Sequence, residues 1–372
     1  MMLFFYAFLC LGYFGLLLWM AFKWQGKQGV NSLEKSLSVS LIIPCRNEEK
    51  NVQGLLEHLF RLDYEDLEII LVDDQSEDRT YDLISAAING KAGFQLISNS
   101  GFGKKEALMS GVKIAKGEII LTSDADCQVH PEWVKEMVIG FSDTAIQLVA
   151  GPVLPEYQGH AFSFELIEWA SILLTTQVSF EQGNPLMCSA ANLAYRKSAF
   201  QKVEGFKGNL EEPSGDDEFL LKKVVEHFGN HSVKYQVSDY NLVLTKPYSS
   251  LKSLISQRVR WAGKWSQNKD FVHRLTAISS ALLQIIWLAS FIFLFSGALT
   301  FTQFLLIWAI KILGEFLALR KVLQTFDLKP AFWHYVFTGL IHPVFVLGVV
   351  GRTFSGKIEW KGREINRNPN FV

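Results

Sequence analysis

The chain lacks most of the features that settle a protein's class at a glance. Its four cysteines, Cys10, Cys45, Cys127 and Cys188, are scattered over 372 residues with no Cys-x-x-Cys spacing. They fit neither a zinc site nor a disulfide framework, and they are ordinary for a reducing cytoplasm. Net charge is nearly absent at −1, which argues against nucleic acid as a partner. There is no internal repeat, no low-complexity tract and no Gly-x-x-x-x-Gly-Lys-Ser/Thr phosphate loop. Charged residues make up only 20% of the chain against 49% hydrophobic, too apolar for an ordinary soluble protein.

The apolar excess lies at the two ends. Residues 1–22 are almost unbroken Leu, Phe, Tyr, Trp and Met. At about 1.5 Å per residue this run is long enough to cross a hydrocarbon core of about 30 Å. Lys23 and Lys27 follow it rather than precede it, so it reads as a retained anchor (1–23) with its C-terminal side in the cytoplasm. Toward the other end, 277–299 carries no charge, 301–319 carries Lys311 and Glu315, and 331–350 carries His334, His342 and Pro343. Lys311 and Glu315 stand four apart, so they could pair on one helical face. The region 277–350 therefore holds two or three spans. Three would leave the basic tail 351–372 (Arg352, Lys357, Lys361, Arg363, Arg367) outside, against the charge rule. If 301–319 only lies in the interface, the tail returns to the cytoplasm. Residues 161–180 are apolar too, but Glu165 and Glu168 make a buried or interfacial helix the better reading.

Between the ends, 38–247 reads as one cytoplasmic α/β domain. Strand-like runs at 38–43, 67–72, 94–98 and 118–122 alternate with helix-like runs at 47–62, 79–88, 104–115 and 131–141. Mostly apolar strands separated by helices predict a largely parallel sheet, which binds ligands outside the carboxyl ends of its strands. Polar residues collect at those ends: Arg46, Asn47 and Glu48, then Asp73 and Asp74, then Asp124 and Asp126. On a strand Asp124 and Asp126 would face the same way, a pair of hard oxygen donors suited to Mg²⁺ or Mn²⁺. Lys104, at a helix start in Gly101-Phe102-Gly103-Lys104-Lys105, adds a cation and amides that suit a phosphate.

Two later stations complete the pattern. Ser214-Gly215-Asp216-Asp217-Glu218 opens an amphipathic helix, and one aspartate there is a candidate general base. Gln257-Arg258-Val259-Arg260-Trp261 lies in a basic amphipathic stretch, 248–275, suited to a membrane interface (Lys252, Arg258, Arg260, Lys264, Lys269, Arg274, opposed by Asp270).

Ile43-Pro44-Cys45-Arg46-Asn47-Glu48, Val72-Asp73-Asp74-Gln75-Ser76, Gly103-Lys104 with Ala107-Leu108, Asp124-Ala125-Asp126, Asp216-Asp217 and Gln257-Arg258-Val259-Arg260-Trp261 stand in one order. In this the chain resembles the membrane-associated family 2 glycosyltransferases, the GT-A-fold group of the cellulose, chitin and hyaluronan synthases and ceramide glucosyltransferase. The resemblance covers about three fifths of the chain, 38–265. It implies that Pro44, Glu48 and Asp73 or Asp74 hold the uridine of a UDP-sugar, that Lys104 approaches the same nucleotide, and that Asp124 faces the nucleotide-sugar. It implies that Asp126, with Asp124, holds a divalent metal on the diphosphate. Asp217 would be the base, with Asp216 as the adjacent alternative. Gln257, Arg258, Arg260 and Trp261 would serve the diphosphate and the acceptor entrance. Two positions depart from the usual pattern: Asp216-Asp217 stands for Glu-Asp, and Met109 stands where many relatives carry Asn.

The expected activity is an inverting, metal-dependent transfer of one sugar, or few, from a UDP-sugar to a hydroxyl of a membrane lipid or lipid-linked acceptor. Its expected place is the cytoplasmic face of the cell (inner) membrane. A processive polysaccharide synthase and a non-catalytic nucleotide-sugar-binding subunit are the competing expectations.

Overall fold

The computed structural model describes residues 2–27, 36–157, 163–210, 215–248, 250–262, 271–353, 357–360 and 363–366. Ser214, Lys264, Lys269, Asp270, Lys361 and Arg367 of the motifs above lie outside them, as do the side chains of Arg274, Lys357 and Arg363. The chain forms two compact units. One is Gln25–Glu156 with Thr175–Lys246; the other is Met1–Trp24, Tyr157–Leu174 and Pro247–Val372.

Helix α1 (Met2–Lys23) opens the chain and belongs to the second unit. The first unit begins with β1 (Val39–Cys45), α2 (Val52–Leu59), β2 (Leu67–Asp73), α3 (Thr80–Ile88), β3 (Phe94–Ser98), α4 (Lys104–Ile114) and β4 (Ile119–Thr122). It continues through β5 (Cys127–Gln128), α5 (Trp133–Ile139), β6 (Leu148–Ala150) and β7 (Val153–Pro155). After α6 (Phe164–Glu181), which runs across the division, come β8 (Leu193–Arg196), α7 (Lys197–Lys202), α8 (Asp216–Phe228), β9 (Val233–Tyr235) and β10 (Val243–Thr245). Seven strands form one sheet in the order β3-β2-β1-β4-β8-β6-β9, and β5-β10-β7 form a smaller one. β3, β2, β1 and β4 are mutually parallel, whereas β8 runs antiparallel to β4 and β6.

β1 continues through Pro44 to pair Cys45 with Asp73. The sequence reading closes this strand at Pro44. The missing amide costs nothing there, because alternate residues face β4, and β4 pairs only with residues 39–42. Helix α4 lies close against the sheet because Gly111 has no side chain; a Cβ there would sit 2.5 Å from Ile42 Cγ2. Strand order reverses between β1 and β4, so the crevice of a doubly wound sheet opens at their carboxyl ends. Arg46, Asp73, Asp74 and Asp124 all follow such ends.

The second unit holds α9 (Leu251–Ala262), α10 (Phe271–Phe295), α11 (Phe301–Thr325), α12 (Phe332–Thr353) and a hairpin of β11 (Lys357–Trp360) and β12 (Arg363–Asn366). Four of its helices, α1, α10, α11 and α12, are long and apolar enough to cross a membrane. Their lipid-suited faces carry exposed Phe4, Phe8, Phe22, Ile292 and Phe295. Inward, Tyr6 and Cys10 pack with Trp287, Phe304 and Trp308. The Lys311–Glu315 pair forms as expected, at 2.7 Å. Lys311, 1% exposed, also donates to Gly339 O at 2.9 Å, and Tyr13 donates to Glu315 at 2.9 Å. Trp24 donates to Thr325 and Lys321 to Ala21 O, which sets the C-terminal ends of α1 and α11 side by side. α11 runs six residues past 319, where the sequence reading ends that segment.

Within the span 38–247, residues 163–174 fall in the second unit, where Phe164 packs with Leu254, Val259, Phe345 and Val349.

Candidate active site at the strand ends

Three loops converge beyond β1, β2 and β3, and buried polar groups brace them. The Arg46 guanidinium donates to Asp74 O and Gln75 O, both at 2.8 Å, and meets Glu77 at 3.1 Å. Gln75 holds a left-handed backbone, φ 57°, and its side chain donates to Gly101 O. Asp74 accepts from Asn99 Nδ2 at 2.8 Å and from Gly103 N at 2.9 Å. The sequence leaves Asp73 and Asp74 as equal candidates for the nucleotide, and their hydrogen bonds differ. Asp74 holds the loop that leads into α4. Asp73, 5% exposed, accepts from Ser76 N through Oδ2, while its Oδ1 has no hydrogen-bond partner among the described residues. A buried carboxylate oxygen left open in this way is costly unless a ligand completes it.

The neighbouring candidates differ in how they are engaged. Glu48 is buried and turned into its own loop, accepting from Asn51 Nδ2 while its amide donates to Thr80 Oγ1. Pro44 is half-buried at the end of β1. The amide of Gly103, expected to be free for a phosphate, is held by Asp74.

Asp124 and Asp126 are not on a strand. β4 stops at Thr122, whose hydroxyl donates to Ala190 O, and Cys127 N donates back to Asp124 O to close a turn. The two half-buried carboxylates therefore sit on a tight turn rather than on one face of a strand. Lys104 reaches this turn from α4. Its Nζ lies 2.6 Å from Asp124 Oδ1 and 3.4 Å from Asp216 Oδ2, with the lysine side chain 25% exposed. Burial alone would lower the Lys104 pKa, but the Asp124, Asp216 and Asp217 carboxylates outweigh it and hold the ammonium well above its usual value. Lys104, expected to approach the nucleotide, thus joins the acidic turn to the start of α8.

At that start Gly215 adopts φ 91° and turns the chain into the helix. Asp216 is buried toward Lys104. Asp217 is half-buried; its Oδ2 accepts from Ala190 N at 3.2 Å. Its Oδ1 accepts from Glu218 N at 2.7 Å, and Asp217 is the less buried of the adjacent carboxylates. The Ser189 to Asn192 segment that steadies it is itself fixed. Asn192, fully buried, donates to Pro152 O and Asn241 O and accepts from Trp133 Nε1. Nothing in the local sequence pattern links Ala190 to Asp217.

The Gln257–Trp261 motif lies on α9, in the other unit. Arg258 is buried, and its Nε and Nη2 donate to the two oxygens of Glu168, each at 2.8 Å. Nη1 donates to Gln257, and the guanidinium stacks on Trp261, 4.4 Å from its centroid. Trp169 meets Trp261 edge-on at 5.3 Å. Arg258, expected at the diphosphate, is thus half of a buried ion pair. Arg260 and Trp261 are half-buried on the same helix.

Among the described residues no group of three or more His, Cys, Asp or Glu gathers into a metal cage. Asp124 and Asp126 supply two hard oxygen donors, which suits a cation whose remaining ligands are diphosphate oxygens and water.

Residues 40–204 match the family described as Glycosyl transferase family 2. The chain is 33% identical over 173 residues to an undecaprenyl-phosphate 4-deoxy-4-formamido-L-arabinose transferase of Pseudomonas aeruginosa, covering 44% of this chain and 49% of that protein. It is 36% identical over 110 residues to the transferase of the same description from Yersinia enterocolitica, covering 28% and 34%. The chain thus spans about half or less of the length of these curated relatives. In solved structures, a mannosyltransferase from Pyrobaculum calidifontis in complex with GDP-Man and Mn²⁺ superposes with a TM-score of 0.59 at 16% identity, covering 95% of this chain and 97% of the other. The likeness in fold therefore extends beyond the α/β unit. That unit is a GT-A-type, mostly parallel, Rossmann-like domain flanked by candidate membrane helices.

Proposed function

We propose, on the premise that residues 40–204 are a glycosyl transferase family 2 domain, that this chain is a membrane glycosyltransferase. It moves a sugar from a UDP-sugar to a membrane lipid or lipid-linked acceptor, with inversion at the anomeric carbon. The catalytic domain works at the cytoplasmic face of the cell membrane. One observation carries the reading: the Lys104 ammonium brings Asp124, from the donor side, and Asp216, from the base side, into one cluster at the strand ends.

In this reading the open oxygen of Asp73 accepts an N–H of the nucleobase, and Pro44 and Glu48 complete that pocket. Asp124 faces the nucleotide-sugar. Asp124 and Asp126 would hold a divalent cation, which when bound neutralises charge growing on the departing diphosphate. Lys104 adds a fixed positive charge beside them. Asp217 takes the proton of the acceptor hydroxyl from the side of the sugar opposite the leaving group, and that displacement inverts the anomeric centre. Gln257, Arg260 and Trp261 are assigned to the acceptor.

The undecaprenyl-phosphate transferases among the relatives favour a second acceptor, a lipid phosphate. A phosphate monoester at neutral pH is already largely ionised, with a second pKa of about 6, and needs no base. Asp217 would then position the acceptor rather than deprotonate it.

The test is release of UDP from a panel of UDP-sugars by the full-length protein, with membrane lipid extracts or polyprenyl phosphate as acceptor and with product sizing. Turnover that requires lipid, stops with a chelator and returns with Mg²⁺ or Mn²⁺ is the expected result. A long polymer would select the processive alternative. UDP-sugar binding without turnover on any acceptor would select the non-catalytic one.

A further inference from the structure

The start of α4 carries two adjacent lysines, although cations are unfavourable at the positive end of a helix dipole. Lys104 has the acidic cluster as its reason. Lys105 points elsewhere and is more deeply buried, 5% exposed. A buried ammonium persists only where its hydrogen bonds are met. Lys105 Nζ donates to Asn209 O at 2.5 Å and stands 5.4 Å from the ring centroid of Phe219. Asn209 precedes α8, and Phe219 lies in α8 two residues after Asp217. One side chain therefore grips the base-bearing segment on both sides of Asp216 and Asp217.

The same segment is held again from α8. Lys223 Nζ donates to Gly205 O at 2.8 Å, Lys207 O at 2.6 Å and Val203 O at 3.4 Å. Gly205 and Gly208 have positive φ, and residues 203–208, which follow α7, form turns held through their carbonyls. Asn209 is itself buried, and its side-chain amide has no hydrogen-bond partner among the described residues. Its side chain therefore does not replace the bond that Lys105 makes to its carbonyl.

We propose that Lys105 is a positioning residue, which fixes the height of Asp217 by tying Asn209 and Phe219 to the N-terminus of α4. This rests on the glycosyltransferase reading above. Donor binding draws on other residues (Asp73, Asp124, Asp126), so loss of Lys105 should leave it intact. An offset of the base by about 1 Å is enough to cost on the order of 100-fold in rate.

The experiment measures kcat, donor KM and UDP affinity for full-length wild type, Lys105→Met and Lys105→Arg, each per mole of protein that binds UDP. Lys105→Met is expected to lower kcat about 10- to 100-fold, with donor KM and UDP affinity within about 2-fold. Lys105→Arg, which can still donate to the Asn209 carbonyl, is expected to recover most of the rate. Unchanged kcat in Lys105→Met would overturn the proposal. So would a rise in donor KM at constant kcat, or loss of UDP binding in both variants. If wild type turns over no donor, the glycosyltransferase reading has failed; if wild type and Lys105→Met turn over equally, only the role of Lys105 has.

Discussion

Replacing Glu168 by Gln should destabilise the second unit by about 3–5 kcal/mol, the range for breaking a buried ion pair from one side. Both partners are nearly sealed from water, with side-chain exposures of 7% for Arg258 and 8% for Glu168. The carboxylate meets the guanidinium through two 2.8 Å bonds, so the variant leaves a full charge buried without its counter-charge. Stacking on Trp261 at 4.4 Å retains about 0.5–2 kcal/mol and does not offset that loss. Removing both charges, as Glu168→Leu with Arg258→Leu, should return stability to near wild type or above, because desolvation then no longer opposes packing. Denaturant titration in detergent, read by intrinsic tryptophan fluorescence, measures both variants and their coupling. A cost below about 1 kcal/mol for Glu168→Gln would refute the reasoning, since it would match a water-screened surface pair. The double variant also separates two jobs for Arg258. Retained turnover means that the arginine acts by packing. A loss of about 100-fold at unchanged stability returns it to the diphosphate.

Three further perturbations test the α/β unit. Asp217→Asn should lower transfer to a hydroxyl acceptor at least about 100-fold while sparing UDP binding; wild-type turnover on such an acceptor removes Asp217 as base. Asp73→Asn should weaken UDP binding measured by calorimetry with little change in melting temperature, whereas Asp74→Asn should lower the melting temperature because Gly103 N and Asn99 lose their acceptor; equal effects from both would contradict the separation. Asp78 is half-buried, and although burial alone would raise its pKa, hydrogen bonds from Thr80 and from Glu49 N hold it below its usual 3.8. Its folded pKa is depressed, so its stabilisation is present above 3.8 and disappears as pH falls through the lower folded value. Asp78→Asn should therefore flatten the acid limb of the stability curve, and an unchanged limb would refute the assignment.

The alternation of strands and helices was legible because β1, β2 and β4 are short, largely buried apolar runs between amphipathic stretches. Polar strand ends were legible for the same reason, and Lys311 with Glu315 because pairing at four residues is local to one helix. What was hidden depends on distant partners. Asp124 and Asp126 read as strand residues until Thr122 is seen to bond Ala190, 68 residues away, and the chain to turn behind it. Arg258 reads as a free cation until Glu168 arrives from 90 residues upstream. Asp73 and Asp74 are equivalent as letters, and only Gly103 and Asn99, placed by the next loop, tell them apart. Lys105 reads only as the neighbour of Lys104 in its glycine-rich loop; its one further signal is a second lysine at the wrong end of a helix.

The bond from Tyr13 to Glu315 sets an order of events during synthesis. Its partners are 302 residues apart, and the whole α/β unit is encoded between them. At about 5–20 residues per second, the first helix waits roughly 15–60 s for α11 to emerge. Through that interval the Tyr13 hydroxyl is without its native acceptor. The α/β unit can meanwhile complete its sheet, since all seven strands precede Val243. Assembly of the candidate membrane helices is thus the last step, and a chain stopped before Glu315 would carry a finished α/β fold beside an incomplete second unit.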